Sequence, residues 1–134
     1  MTFYDYKCGF RKALIYRNVA VKARLGWLVD NPYIIVLVTT TSKHEAEAIV
    51  QHLLGDKLIA CANIIGPVTS LFHWSGKIER AEEHLVLMKS RSDLFDRLTE
   101  AVKLLHSYEV PEILALPVAA GSKTYLDWLA DCLV

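Results

Sequence analysis

Residues 34–55 read IIVLVTTTSKHEAEAIVQHLLG, and this stretch decides the fold. Its first five residues form a continuous apolar, largely β-branched run, which is typical of a strand covered on both faces. Ser42 followed by Glu45 is a capping-box pattern, with Thr41 as the alternative cap. Apolar residues then recur at the spacing of one buried helix face, and Gly55 follows where the helix should end. These residues are Ala46, Ile49, Val50, Leu53 and Leu54. The stretch therefore predicts a strand followed by an amphipathic helix.

The segment that follows predicts a long β-hairpin. Residues 57–74 and 77–91 are both β-rich, and Ser75-Gly76 between them is a turn signal. Proline cannot donate to a strand ladder, so Gly66-Pro67 predicts a bulge, a bend or an edge position in the first arm.

A second helix, a strand and a last short helix complete the predicted order. The second helix should start at Ser92 or Asp93, and the strand covers the apolar run before Pro117. The second helix's apolar stripe consists of Leu94, Leu98, Ala101, Val102 and Leu105. The last helix, after Gly121-Ser122, carries Tyr125, Leu126, Trp128, Leu129 and Cys132. The order β-α-β-β-α-β plus a C-terminal helix predicts an α+β, ferredoxin-like fold, with both crossover helices on one face of a four-stranded antiparallel sheet.

The hairpin is too long for the helices that should cover it. Arms of about fifteen residues reach about 50 Å, whereas helices of about fourteen residues span about 21 Å. The overhang carries the apolar residues Val68, Leu71, Phe72, Trp74 and Ile78. Exposed apolar strands with open edges aggregate unless they are paired, so we expect a closed homo-oligomer in which hairpins complete neighbouring sheets.

Composition indicates one globular domain preceded by a basic segment. The 134 residues are 53% hydrophobic with no net charge, which excludes a disordered chain and gives no overall field for nucleic acid. Residues 1–30 nevertheless hold six basic residues against two acidic ones, whereas the remainder is acidic by four charges. We predict a basic extension over residues 1–31, disordered or not native to the protein, and one domain over residues 32–134.

Three cysteines, Cys8, Cys61 and Cys132, lie far apart without a CxxC spacing. This pattern favours a reducing, cytoplasmic location and excludes a CxxC metal chaperone. Apolar runs are too short for a membrane span or for the core of a secretory signal, so neither is expected.

Several motifs make residues 34–132 resemble the CutA family of divalent-cation tolerance proteins. The matching strings are VTTTS (38–42), KLIACANI (57–64), SLFHWSGKIE (70–79), LVLMKSR (85–91), HSYEVPEILALPV (106–118) and YLDWL (125–129). The resemblance implies a ferredoxin-like protomer in a tight homotrimer, related in architecture to PII-type regulators. It implies a role in tolerance to copper and other divalent ions, and no established catalytic activity. The residues expected at the trimer interface are Leu71, Phe72, Trp74, Tyr108, Tyr125 and Trp128, with a ligand-stacking box as the alternative for the Tyr125, Trp128 and Trp74 group.

The resemblance also supplies candidate binding residues. The copper ligands of the bacterial type member correspond here to Val38 and the pair Leu105-His106, so one imidazole is retained. A second metal hypothesis places His106 with Glu109 and Glu112 at a subunit junction, and the structural alternative is that His106 caps the second helix. By analogy with the family's proposed pocket, Cys61, Lys89 and His106 line a cleft between subunits. The alternative for Cys61 is a small buried apolar residue.

The other histidines and the competing functions carry weaker signals. His44 and His52 lie two helical turns apart, too far for chelation, and His73 should face Ile78 across the hairpin rather than His84. An acylphosphatase-like hydrolase would need a glycine or arginine in the phosphate loop, where the sequence has Thr39 to Ser42. The predicted function is thus a non-enzymatic, CutA-like trimer that binds copper, another divalent cation or a small ligand. The hydrolase and a PII-like signalling module stand as alternatives.

Overall fold

The structure, a computed structural model, describes residues 31–134. All of the predicted basic extension except Asn31 lies outside the described residues, as does Cys8. The elements are β1 (Tyr33–Thr40), α1 (Lys43–Gly55), β2 (Cys61–Trp74), β3 (Lys77–Arg91), a 3-10 turn (Ser92–Leu94), α2 (Phe95–Leu105), β4 (Ile113–Pro117) and α3 (Lys123–Cys132). The predicted order of elements is confirmed.

The four strands form one sheet in the order β2-β3-β1-β4, and every neighbouring pair is antiparallel. With α1 and α2 as the crossovers, this is the ferredoxin-like arrangement that the sequence predicts. Within residues 31–134, no helix is both long and apolar enough to cross a bilayer.

The capping box forms at the start of α1, with Ser42 as the cap. The Ser42 hydroxyl accepts a hydrogen bond from the backbone N–H of Glu45 at 3.1 Å. The Glu45 carboxylate reaches back to the backbone N–H of Thr41 at 2.9 Å and to its hydroxyl at 2.7 Å. Two otherwise unpaired donors at the helix entrance are thereby satisfied, which fixes where α1 begins.

The core lies between one face of the sheet and the helices. Alternate β1 residues from Ile34 to Thr40 are buried, and they face the buried stripes of the helices. These stripes comprise Ala46, Ile49, Val50 and Leu53 in α1, Leu98 and Val102 in α2, and Leu129 in α3. Two residues assigned to the stripes from sequence, Leu54 and Leu105, are instead 39% and 41% exposed, and both lie in the last turn of their helices.

The hairpin is as long as predicted, but β2 begins at Cys61 rather than at Lys57. Lys57 has a positive φ of 55°, which breaks the extended backbone before the strand starts. Leu58 is buried in the connection, where its backbone N–H donates to the Leu53 carbonyl of α1. Of the alternatives predicted at Gly66-Pro67, the structure has a bulge, because the β2–β3 register shifts between Ile65 and Val68, and β2 is also an edge strand.

The sheet face opposite the core, called here the open face, carries a large apolar patch. Register partners in an antiparallel pair project to the same side, so the face can be read directly from the pairing. Its apolar residues are Ile35, Leu37, Ile65, Leu85, Leu87, Leu114 and Leu116. Ile65, Leu114 and Leu116 are 45%, 53% and 50% exposed. The same face also carries polar side chains: Cys61, Asn63 and Lys89 towards one end, with Tyr33 and Arg91 beyond them, and Thr39 at the other end.

Candidate functional site

The polar end of the open face brings together two of the predicted site residues. Cys61 and Lys89 are register partners across β2 and β3. The Lys89 ammonium donates to the side-chain oxygen of Asn63, two residues along β2 from Cys61. The Cys61 sulfur lies 3.4 Å from the Tyr125 hydroxyl, at the start of α3. Cys61, Asn63, Lys89 and Tyr125 together are called the Lys89 cluster below.

Tyr125 contributes a neutral hydroxyl to the Lys89 cluster. Its hydrogen bond with Cys61, together with burial, raises the pKa of Tyr125 to about 12, so the phenol keeps its proton at any physiological pH. Its ring packs against Trp128 with centroids 5.4 Å apart, and the two rings are 44% and 45% exposed. The cluster therefore combines one cation, two uncharged polar groups and a thiol beside an aromatic wall.

His106 lies at the opposite end of β1. It forms the cap of α2, and its side chain is fully buried. Its Nε2 is 2.7 Å from the Thr39 carbonyl, and its Nδ1 accepts a hydrogen bond from the backbone N–H of Tyr108 at 2.9 Å. The carbonyl requires a donor and the N–H requires an acceptor, so the ring is the neutral Nε2–H tautomer. Both nitrogens are used within the fold.

Glu45 lies in the same region as His106, and no pattern in the sequence predicts this. Besides capping α1, its carboxylate accepts a hydrogen bond of 2.6 Å from the backbone N–H of Ser107 and lies 3.7 Å from Nδ1 of His106. Burial raises the pKa of Glu45, but the hydrogen bonds from Ser107 and Thr41 outweigh burial and lower the pKa to about 2. The capping box identifies Glu45 as a local residue, whereas its partner Ser107 is a tertiary one.

Tyr108 ties the segment after α2 to the hairpin. Its hydroxyl donates to the carboxylate of Glu83 at 3.1 Å, and Glu83 is 5% exposed. Burial raises the pKa of Tyr108, and the Glu83 hydrogen bond raises it further. The Tyr108 ring also packs against His106, with centroids 5.1 Å apart. Tyr108 therefore fixes the loop that leads into β4.

One protomer does not assemble the predicted cation site. Glu109 and Glu112 are exposed in the loop before β4, and His106 already uses both ring nitrogens. Residues 31–134 contain no group of three or more His, Cys, Asp or Glu side chains arranged to hold a metal ion. Residues 31–134 of a single subunit therefore do not fit copper or zinc, both of which need several convergent donors.

The residues predicted to lie at a trimer interface are all accessible in the protomer. Leu71 is 67% exposed, and the hairpin aromatics Phe72 and Trp74 are 39% and 46% exposed. Tyr108 is 37% exposed, although its hydroxyl is engaged by Glu83. These side chains, together with Tyr125 and Trp128, are available to a neighbouring chain.

Comparison with known proteins returns one family consistently. The family model for "CutA1 divalent ion tolerance protein" matches residues 34–132. The divalent-cation tolerance protein CutA of Thermus thermophilus is 43% identical over 97 residues, which is 72% of this chain and 94% of that protein. The chloroplastic protein CutA 1 of Oryza sativa is 41% identical over 75% of this chain, which covers 56% of the rice protein.

Solved structures agree with this result. The Thermus thermophilus structure superposes with a TM-score of 0.75 at 41% identity, covering 76% of this chain and 99% of that one. A structure named periplasmic divalent cation tolerance protein CutA from Archaeoglobus fulgidus superposes at 0.73 with 42% identity, covering 75% and 97% of the two chains. Sequence and backbone geometry therefore identify the same relatives.

Proposed function

The chain belongs to the CutA1 family of divalent ion tolerance proteins, and from this premise we propose that it works as a homotrimer whose subunit junctions bind a divalent cation or a small ligand. The main observation that supports this proposal is the exposed apolar patch on the open face. A sheet with seven apolar side chains on the face away from its own core exposes an apolar patch that a soluble protomer rarely tolerates. Three copies related by a closed rotation would bury three such faces together.

The long hairpin supports the same assembly. The apolar residues Leu71, Phe72 and Ile78 lie beyond the part of the sheet that α1 and α2 cover, and they are 67%, 39% and 72% exposed. A neighbouring subunit would cover them and would pair the free edge of β2, the outermost strand. Trp74, Tyr108, Tyr125 and Trp128 complete the proposed interface.

Assembly would also bring together the candidate binding residues. Within one protomer, Cys61 and Lys89 lie at one end of the sheet and His106, Glu109 and Glu112 lie near the other. A junction between two subunits is the arrangement in which these two groups could face one another. A divalent ion would be bound there on the side of His106, Glu109 and Glu112, and His106 would first have to release one of its backbone hydrogen bonds.

We propose binding rather than catalysis as the role of this junction. The relatives are named tolerance proteins, and the comparisons favour neither an acylphosphatase-like hydrolase nor a PII-like signalling module. The functional unit is proposed to be the domain over residues 32–134. A cytoplasmic location is proposed on the free cysteines Cys61 and Cys132, which suit a reducing compartment. The rice relative is named chloroplastic and the Archaeoglobus structure periplasmic, so cell fractionation is the direct test.

Native mass spectrometry of the full chain tests assembly and cation binding together. We expect a trimer that takes up copper, zinc or cobalt with a fixed number of ions per trimer. A trimer without stoichiometric uptake of any of the three metals would refute the cation-binding part alone. A stable protomer at micromolar concentration would refute the whole proposal.

A further inference from the structure

The Lys89 cluster places an unpaired positive charge on an apolar surface. Lys89 is half-buried on the open face, next to Ile35 and Leu87. Among residues 31–134, its described polar contact is the amide oxygen of Asn63, and no carboxylate lies within the 4 Å of an ion pair. An ammonium has three donors, so one bond to a neutral amide leaves two donors and the full charge to be satisfied by solvent in the protomer.

Assembly would make this charge costly. Removing an ammonium from water without an opposite charge costs several kcal/mol, so buried lysines are almost always paired. If the open face is buried in a trimer, Lys89 needs an anion at that place. The remaining members of the cluster favour one, because the Asn63 amide nitrogen is free to donate and Tyr125 carries a neutral hydroxyl.

We propose that the Lys89 cluster is a binding site for a small oxyanion, either a carboxylate or a phosphate. Lys89 supplies the charge, the Asn63 amide nitrogen supplies a hydrogen bond, and the Tyr125–Trp128 ring pair forms an apolar wall beside them. The pKa of Tyr125 is raised to about 12 by the Cys61 hydrogen bond and by burial, so the phenol stays neutral and does not repel an anion bound beside it. The inference deepens the proposed ligand-binding role of the subunit junction and rests on it.

The same charge argues against a cation at this position. An ammonium repels a divalent ion, and a thiol, a phenol and an amide without a carboxylate make a poor ligand set for one. The cluster is therefore proposed to select the anionic part of a ligand, whereas any cation would have to bind nearer the glutamates of the β4 loop.

The inference is tested by titrating the full chain with inorganic phosphate and, separately, with succinate. The ionic strength is held constant, and chloride is the background ion. Binding is followed by chemical-shift changes of the backbone amides of Cys61, Asn63 and Lys89. We expect saturable shifts with at least one of the two anions, and the stronger ligand identifies the source of the oxyanion. Lys89→Met should raise the dissociation constant by about tenfold or more. Lys89→Arg should retain binding because it keeps the charge.

Lys77→Met is the matched control, since Lys77 lies in the same strand at the exposed hairpin tip. Equal weakening by Lys77→Met, or no saturable binding of either anion, would overturn the inference. If a carboxylate of a neighbouring subunit already pairs with Lys89, neither anion will bind saturably, and this outcome also overturns the inference.

The mass of each variant, measured by light scattering, separates this inference from the proposed trimer. A trimer that binds no anion refutes this inference alone, and a protomer that binds phosphate refutes the trimer alone.

Discussion

The carboxylate of Glu45 and the backbone N–H of Ser107 are joined by a hydrogen bond of 2.6 Å between residues 62 positions apart in the chain. This contact attaches the start of α1 to the segment just beyond the end of α2. The same carboxylate caps α1 through Thr41, and His106 and Tyr108 flank Ser107. Glu45 therefore connects a local helix cap to the loop that carries Tyr108 towards Glu83.

Glu45→Ala should destabilise the protein by about 2 kcal/mol, because hydrogen bonds to an ionised group are worth about 1.5–3 kcal/mol and two backbone donors lose their acceptor. Urea unfolding followed by circular dichroism measures the change. Glu47→Ala is the control, since Glu47 makes an exposed ion pair with Lys43 and should change the free energy by no more than about 0.5 kcal/mol. Equal effects of the two substitutions would contradict the role assigned to Glu45.

The stabilisation by Glu45 should depend on pH in a defined window. Hydrogen bonds from Ser107 and Thr41 outweigh burial and lower the pKa of Glu45 from 4.5 to about 2 in the folded state. A depressed folded-state pKa stabilises the protein above the unfolded-state pKa, and the stabilisation is lost as the pH falls through the folded-state value. The difference in unfolding free energy between the wild type and Glu45→Gln should therefore shrink between pH 4.5 and about 2. A constant difference over this range would be inconsistent with the lowered pKa.

His106→Ala should cost about 3 kcal/mol of unfolding free energy, because it removes a buried ring and leaves both the Thr39 carbonyl and the Tyr108 N–H without their partner. His44→Ala, at an exposed position of α1, is the control and should be close to neutral. Thermal and urea denaturation of both variants provide the measurement. A near-neutral His106→Ala would indicate that the imidazole is free to serve as a ligand rather than held by the fold.

The β1–α1 unit could be predicted from sequence because each of its signals is local: an apolar run, a capping box and a helical stripe. The start of β2 could not, since Leu58 and Ile59 look like strand residues yet are buried by packing against the end of α1. The capping-box spacing predicts that Glu45 reaches back to the start of α1, but its contact with Ser107 depends on how α1 and α2 lie side by side. His106 was proposed as a ligand or a cap, and its bond to Thr39 requires knowledge of where β1 ends.

The pairing of Cys61 with Lys89 also could not be predicted from local sequence signals. Counting outward from the Ser75-Gly76 turn, with Trp74 opposite Lys77, would place Cys61 opposite Ser90. Ser90 faces the core and is fully buried, so this register would put Cys61 on the wrong side of the sheet. The bulge between Ile65 and Val68 shifts the register by one residue and brings Lys89 opposite Cys61. The sequence predicts a bulge, a bend or an edge position there, but not which of them occurs or by how much the register shifts.

Charge placed on the open face should prevent assembly. Leu114→Glu introduces a carboxylate into a face proposed to be buried between subunits, where an unpaired charge costs several kcal/mol. Leu104→Glu is the matched control, because Leu104 is also exposed, at 86%, but lies on α2 on the other side of the sheet. Size-exclusion chromatography with light scattering should give a trimer for Leu104→Glu and dissociated or aggregated chains for Leu114→Glu. A trimer in both cases would mean that the open face is not the interface.

Gly66→Ala should destabilise the protein and disturb the Lys89 cluster. A Cβ at position 66 would lie 2.5 Å from Cδ2 of the His84 ring, opposite the bulge, so either the ring or the strand must move. Overpacking of this kind typically costs about 1–3 kcal/mol. Gly55→Ala is the control, because a Cβ there meets nothing within 4 Å and alanine is the better helix former. A double-mutant cycle separates the cause: in a His84→Ala background, Gly66→Ala should lose most of its cost. If the loss of unfolding free energy is unchanged without the His84 ring, the steric account of Gly66 is wrong.

Gly66→Ala should also disturb the β2–β3 register, because the alignment of Cys61 with Lys89 depends on the one extra residue at this bulge. The backbone amide resonances of Cys61 and Lys89 should then move.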